Sequence, residues 1–136
     1  MVVLLGGRVA EQIVFDSVTT GASGDLKKVY EISRQMVTEY AMGTTVSSRR
    51  LPADDYSVSD NTRRIVDEEQ QEITDLAFRR AHALIASNRD LLEALAQGLL
   101  DREVLEREDI SVIVGAHSGV LAAAERVDGP AAEPTA

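Results

Sequence analysis

Apolar residues recur at intervals of three and four along most of this 136-residue chain, which is the period of helices packed on one side. The clearest stretch, at about residues 24–42, predicts one broad buried stripe. Its members are Leu26, Val29, Tyr30, Ser33, Met36, Val37, Tyr40 and Ala41. Only 4% of the residues are aromatic, so Leu, Ile, Val and Ala must form the core. With no strand alternation visible, we expect an all-α fold, a compact bundle of four to five helices.

The same period predicts further helices at about residues 2–14, 60–86, 89–101 and 107–114. Their apolar stripes are Val2, Leu5, Val9 and Ile13; Val66, Ile73, Ala77, Ala81 and Leu84; Leu91, Leu92, Leu95, Leu99 and Leu100; and Ile110, Val112, Ile113 and Val114. A charge run on the third helix is interpreted as its solvated face. That run is Arg63, Arg64, Asp67, Glu68, Glu69 and Glu72.

Residues typical of helix caps and turns mark the boundaries between the predicted helices. Ser59 or Asp60 can cap the third helix and Asn88 the fourth, and residues 43–58 are rich in turn-formers. Beyond the fifth predicted helix most residues are small, and prolines occur near the end of the chain. We therefore expect one helical domain over residues 1–114 and a flexible tail over residues 115–136.

Charge and composition exclude several classes of function. Fourteen Lys and Arg against 23 Asp and Glu give a net charge of −9, and no basic stripe is visible. Neither nucleic acid nor direct contact with a membrane is therefore expected. The longest apolar run, residues 1–5, is far too short to span a bilayer. The absence of Cys removes thiolate metal sites.

Residues 19–26 (TTGASGDL) form a glycine-bearing turn that leads into the second helix. Ser23 is a natural N-cap, and Asp25 then falls in the first turn, where the helix dipole favours a carboxylate. We expect the Asp25 side chain to be at least partly accessible to solvent. Ordinary helix-start chemistry is enough to explain these residue types.

The neighbouring segments add a resemblance. With residues 4–11 (LLGGRVAE) before it and residues 36–40 (MVTEY) after it, the turn resembles the C-terminal part of the peptidase domain of FtsH-type proteases. These are membrane-anchored, ATP-dependent zinc metalloproteases. The similarity resumes at residues 56–57 and includes residues 88–96 and 103–110. It implies that Asp25 is the third zinc ligand of the full-length enzyme, and that the helices stand beside the metal site and help to build a ring of six protomers.

The chain also departs from the family. Residues 43–55 differ from the usual stretch, and no His-Glu-x-x-His motif or phosphate-binding Gly-x-x-x-x-Gly-Lys-Ser/Thr motif occurs. The chain has only His82 and His117, 35 positions apart, and we expect neither to bind a catalytic metal. The first helix lacks a capping residue. We therefore expect the chain to be the downstream part of a longer protein.

The resemblance implies a role in protein degradation and quality control for the full-length enzyme. It implies zinc as cofactor, protein substrates, identical protomers in a hexamer, and a location on the cytoplasmic side of the bacterial inner membrane. We expect the present chain to be soluble, to carry no catalytic residue, to bind no cofactor by itself and to be inactive as a peptidase. The alternative is a non-catalytic, stand-alone helical oligomerisation or adaptor module. The sequence encoded upstream of Met1 distinguishes the two hypotheses.

Overall fold

The computed structural model describes residues 1–52 and 57–117 of the chain. These residues form five α-helices and one 3-10 turn, Thr20–Ala22, with no β-strand among them. The helices are α1 (Val2–Phe15), α2 (Ser23–Thr38), α3 (Asp60–Ser87), α4 (Arg89–Arg102) and α5 (Arg107–Ala116). The prediction of an all-α fold with four to five helices is confirmed. The chain divides into two compact units, residues 1–82 and the residues from 83 onward.

The first unit is built on narrower stripes than the sequence predicted. Helices α1 and α2 pack against each other and both contact the 3-10 turn. Leu5 and Val9 are buried on α1, and Val29, Ser33 and Val37 are buried on α2. The other members of the predicted α2 stripe are at least partly accessible to solvent, so the buried line of α2 consists of these three residues spaced by four, with Thr38 buried next to Val37.

The predicted end of the second helix, at about residue 42, is wrong by four residues. Helix α2 ends at Thr38, and Ala41 then adopts a left-handed conformation with φ of 51°. The amide of Leu51 donates to the carbonyl of Thr38 over 2.8 Å, which ties the following loop back to the helix. The apolar period of the sequence continues through Tyr40 and Ala41, but the helical conformation of the backbone ends before them.

That loop contributes to the core of the first unit. Val46 and Leu51 are buried together with Val37 of α2 and Val66 of α3, and Ile65 and Ile73 pack against this cluster. A surface loop that inserts two apolar side chains needs an anchor, because its backbone amides must still find hydrogen-bond acceptors.

Glu69 of α3 provides that anchor. Its side chain is 5% exposed, so its assignment to the solvated face is wrong. The carboxylate accepts from the Thr44 hydroxyl over 3.2 Å and from the amides of Thr45 and Val46 over 2.5 and 3.4 Å. Burial raises the pKa of this carboxyl, but the loop's hydrogen bonds outweigh burial and bring the pKa below its ordinary value.

The second unit contains α4 and α5, which pack closely at Gly98. A Cβ at this position would lie 3.3 Å from Ile113 and 3.4 Å from Leu105. Leu91 is buried, but Leu99 and Leu100 are exposed, so the prediction that both point inward is wrong. Helix α5 begins in a capping box and continues to Ala116, two residues past its predicted end. Residues 118–136, which make up most of the predicted tail, lie outside the described residues.

Candidate functional site

The turn between α1 and α2 is organised by Thr19. Helix α1 ends at Phe15, its C-cap residue Asp16 is left-handed, and Thr19 then returns to an extended conformation. The Gly21 amide donates to the Thr19 hydroxyl oxygen over 3.2 Å, so this side chain caps the 3-10 turn. The turn runs without a break into α2. Ser23 is therefore already helical, and its prediction as the N-cap is wrong, because the capping side chain lies four residues earlier.

Asp25 lies in the first turn of α2, as predicted. Its side chain is 47% exposed, and its Oδ1 is 3.8 Å from the ammonium of Lys28, which is itself exposed. An exposed ion pair of this length contributes little, about 1 kcal/mol or less. The carboxylate is thus accessible and only weakly engaged, as a residue able to accept an additional partner must be. The predicted accessibility of Asp25 is confirmed.

Glu11 is the residue at this site that sequence reasoning missed. It projects from α1, and its carboxylate accepts from the Thr19 hydroxyl over 2.6 Å and from the Thr19 amide over 3.3 Å. These interactions lower the pKa of Glu11. The hydrogen bond from the Thr19 hydroxyl has the largest effect, followed by the bond from the Thr19 amide and then by the positive charge of the nearby Arg8. Glu11 belongs to the segment that carries the family resemblance, but nothing in a single sequence indicates its partner eight residues away.

Comparison with known proteins identifies the family. The family model of peptidase family M41 matches residues 1–113 of the chain. The chain belongs to peptidase family M41. The match covers all three elements of the site: Glu11 on α1, the turn at Thr19 and Asp25 on α2. The resemblance to FtsH-type proteases is confirmed.

Several relatives of this M41 chain are named as ATP-dependent zinc metalloproteases. FtsH 4 of Synechocystis sp. is 38% identical over 125 residues, which cover 82% of this chain and 20% of the relative. FtsH 3 of Sphaerobacter thermophilus is 39% identical over 115 residues, which cover 85% of this chain and 23% of the relative. FtsH of Akkermansia muciniphila is 35% identical over 127 residues, covering 84% and 16%. The chain spans about a fifth of the length of the curated relatives it matches.

Each of the two histidines contacts a residue one turn before it in the chain. His82 is exposed on α3 and lies beside Phe78, with 6.5 Å between the ring centroids. His117 follows α5, where its Nδ1 is 2.8 Å from the carbonyl oxygen of Ile113. Within residues 1–52 and 57–117, no three His, Asp or Glu side chains are grouped so that they could hold a metal ion. No helix in this part of the chain has the length and apolar character needed to cross a membrane.

Proposed function

We propose that this M41 chain supplies Asp25 as the third zinc ligand of an FtsH-type ATP-dependent metalloprotease. The observation that carries the proposal is the family match over residues 1–113, within which Asp25 follows the glycine-bearing turn and stands accessible at the start of α2. A first-turn carboxylate on an exposed helix end can reach a partner without breaking any core contact. Its one ion pair, with Lys28, is weak enough to exchange for a stronger ligand interaction.

Zinc chemistry fits this residue as one ligand among several. Catalytic zinc is held by three protein ligands and a water molecule, with carboxylate oxygens at about 2.0–2.2 Å. The His-Glu-x-x-His motif, which in the family supplies two ligands and the general base, is absent from this sequence. In the longer protein, bound zinc would activate the attacking water. Asp25 would add a negatively charged oxygen ligand from a helix start that the Thr19 turn holds in place.

The same proposal covers the whole enzyme. It is a membrane-anchored protease on the cytoplasmic side of the bacterial inner membrane, a hexamer of identical protomers that degrades protein substrates. The surface of the second unit supports protomer contacts, because apolar side chains on or next to α4 and α5 are open to solvent. They are Leu99, Leu100, Val104, Ile110 and Val112. The present chain alone should hydrolyse no peptide.

Zinc binding and proteolysis test the assignment of Asp25. In the longer protein that includes an in-frame His-Glu-x-x-His segment, Asp25→Asn should abolish or greatly reduce both. Asp90→Asn is the matched control, because Asp90 is likewise an aspartate in the first turn of its helix, α4. It should leave both properties unchanged. Full zinc affinity and full activity in Asp25→Asn would refute the assignment.

Zinc titration of the present chain provides a second test. A ligand stabilises a fold by RT ln(1 + [L]/Kd), so one carboxylate with a weak affinity adds nothing at micromolar zinc. We expect no zinc-dependent rise in melting temperature and no calorimetric binding of micromolar strength. Tight binding of one zinc ion by this chain would contradict a site that is completed by a separate His-Glu-x-x-His segment.

The stand-alone oligomerisation or adaptor module is the second candidate, and the exposed apolar side chains near α4 and α5 favour it as well. The two hypotheses differ upstream of Met1. An in-frame His-Glu-x-x-His and phosphate-binding motif supports the protease. A stop codon directly upstream, together with a stable oligomer of the 136-residue chain in sedimentation, supports the module.

A further inference from the structure

A chain of hydrogen bonds links α1 to the turn that presents Asp25. The Thr19 hydroxyl donates to Glu11 Oε1 over 2.6 Å and accepts from the Gly21 amide over 3.2 Å. The Thr19 amide donates to the second carboxylate oxygen over 3.3 Å. A hydroxyl has one proton and two lone pairs, so this geometry uses it as donor and acceptor at once. Glu11 therefore fixes both the backbone and the side chain of Thr19.

Packing does not hold this turn. Every residue from 14 to 21 is exposed, and Asp16 and Gly21 lie within this segment. Exposed segments with glycines retain much conformational freedom unless specific bonds restrict them. The bonds from Thr19 to Glu11 join the turn to α1 across a separation of eight residues, and Glu11 lies on a regular helix. A rigid helix is the better support for a functional residue.

The consequence reaches Asp25 through the backbone. The 3-10 turn Thr20–Ala22 continues directly into α2, and Asp25 is the third residue of that helix. We propose that Glu11 is a positioning residue for Asp25: by holding Thr19, it sets the start of α2 and so the place of the Asp25 carboxylate. The inference rests on the proposed role of Asp25 as a zinc ligand. Glu11 itself stays outside the metal site and acts only through Thr19.

The positioning role is tested first on the 136-residue chain by hydrogen exchange of individual amides. Glu11→Ala should speed exchange at Thr19 and Gly21 about tenfold or more, because both amides lose an ordered acceptor. Thr19→Val, which removes the hydroxyl, should speed exchange at the Gly21 amide in the same way, and Thr19→Ser, which keeps the hydroxyl, should behave as the unchanged chain. Glu31→Gln on the exposed face of α2 is the control and should change neither amide.

The second test measures zinc affinity in the longer protein that includes the His-Glu-x-x-His segment. Residues that orient metal ligands typically contribute roughly 10- to 100-fold to metal affinity. We expect a loss of that size for Glu11→Ala and for Thr19→Val, no loss for Thr19→Ser, and no further loss when Glu11→Ala and Thr19→Val are combined. The melting temperature of the metal-free protein serves to separate positioning from general destabilisation.

The outcomes separate this inference from the function on which it rests. If Asp25→Asn abolishes zinc binding while Glu11→Ala and Thr19→Val leave it unchanged, the positioning role is refuted and the ligand assignment stands. If Asp25→Asn leaves zinc binding intact, the ligand assignment itself fails. Unchanged exchange at Thr19 and Gly21 in Glu11→Ala would refute the positioning role without any metal. Restored affinity in Thr19→Ser, set against the loss in Thr19→Val, would support it.

Discussion

Replacing Glu69 by Ala should destabilise the first unit more than replacing any exposed glutamate of the same helix by Ala. The Glu69 carboxylate is the acceptor for the Thr44 hydroxyl and for the amides of Thr45 and Val46. Its Oε2 is buried next to Gly43. Truncation to Ala removes all three bonds and leaves the side chain's volume empty. The loop would then have to open to water or keep amides without acceptors.

The magnitude follows from these contacts. A hydrogen bond to a charged group contributes about 1.5–3 kcal/mol, and a buried donor without a partner costs about 1–3 kcal/mol. Thr45 is exposed and can bind water instead, so its loss is small, whereas Val46 is buried. If the loop detaches, Val46 and Leu51 leave the core, and full burial of such a side chain contributes about 1.5–3 kcal/mol. We therefore expect Glu69→Ala to lower the free energy of unfolding by about 2–5 kcal/mol.

Urea denaturation followed by circular dichroism measures this loss. Glu68→Ala is the matched control: Glu68 precedes Glu69 on α3, and its exposed ion pair with Arg64 should contribute only about 0.3–0.5 kcal/mol. Gly43→Ala tests the same anchor from the loop side, because its new Cβ would overlap the Glu69 carboxylate. A loss below about 1 kcal/mol in Glu69→Ala, or equal losses in Glu68→Ala and Glu69→Ala, would refute the reasoning.

The pKa of Glu11 and that of Glu69 are both lower in the folded chain than the ordinary value of a glutamate. The stability these groups contribute is therefore present above the ordinary glutamate pKa and is lost as the pH falls through the lower folded values; Glu69→Gln should reduce this acid dependence in pH-resolved denaturation. Asp25→Ala should lower the free energy of unfolding by no more than about 1 kcal/mol, the scale of a first-turn dipole interaction, and a larger loss would indicate a structural role. Deleting residues 121–136 should leave the melting temperature unchanged, and a fall of several degrees would show that the tail is docked.

The helices could be predicted from the sequence because their signals are local. Apolar spacing places all five helices, and the glycine-bearing turn places Asp25 in the first turn of α2. The end of α2 could not be predicted in the same way. Tyr40 and Ala41 continue the apolar period, but Ala41 is left-handed, and the tie between Leu51 and Thr38 joins residues 13 apart. Hydrogen bonds between residues this far apart in the chain produce no periodic pattern in the sequence.

Two glutamates, one at the site and one in the core of the first unit, show why the sequence predicted the site and the fold only in part. Glu69 lies in a charge run on its helix and Glu11 lies one turn after Arg8, and for both a solvated surface is the simplest interpretation. Each instead accepts hydrogen bonds from a threonine in a loop, Thr19 eight residues after Glu11 and Thr45 twenty-four residues before Glu69. The residue types are the same but the separations differ, so one sequence cannot indicate the pairs. Because both loops depend on an ionised carboxylate, acid should loosen them before it disturbs the apolar stripes of the helices.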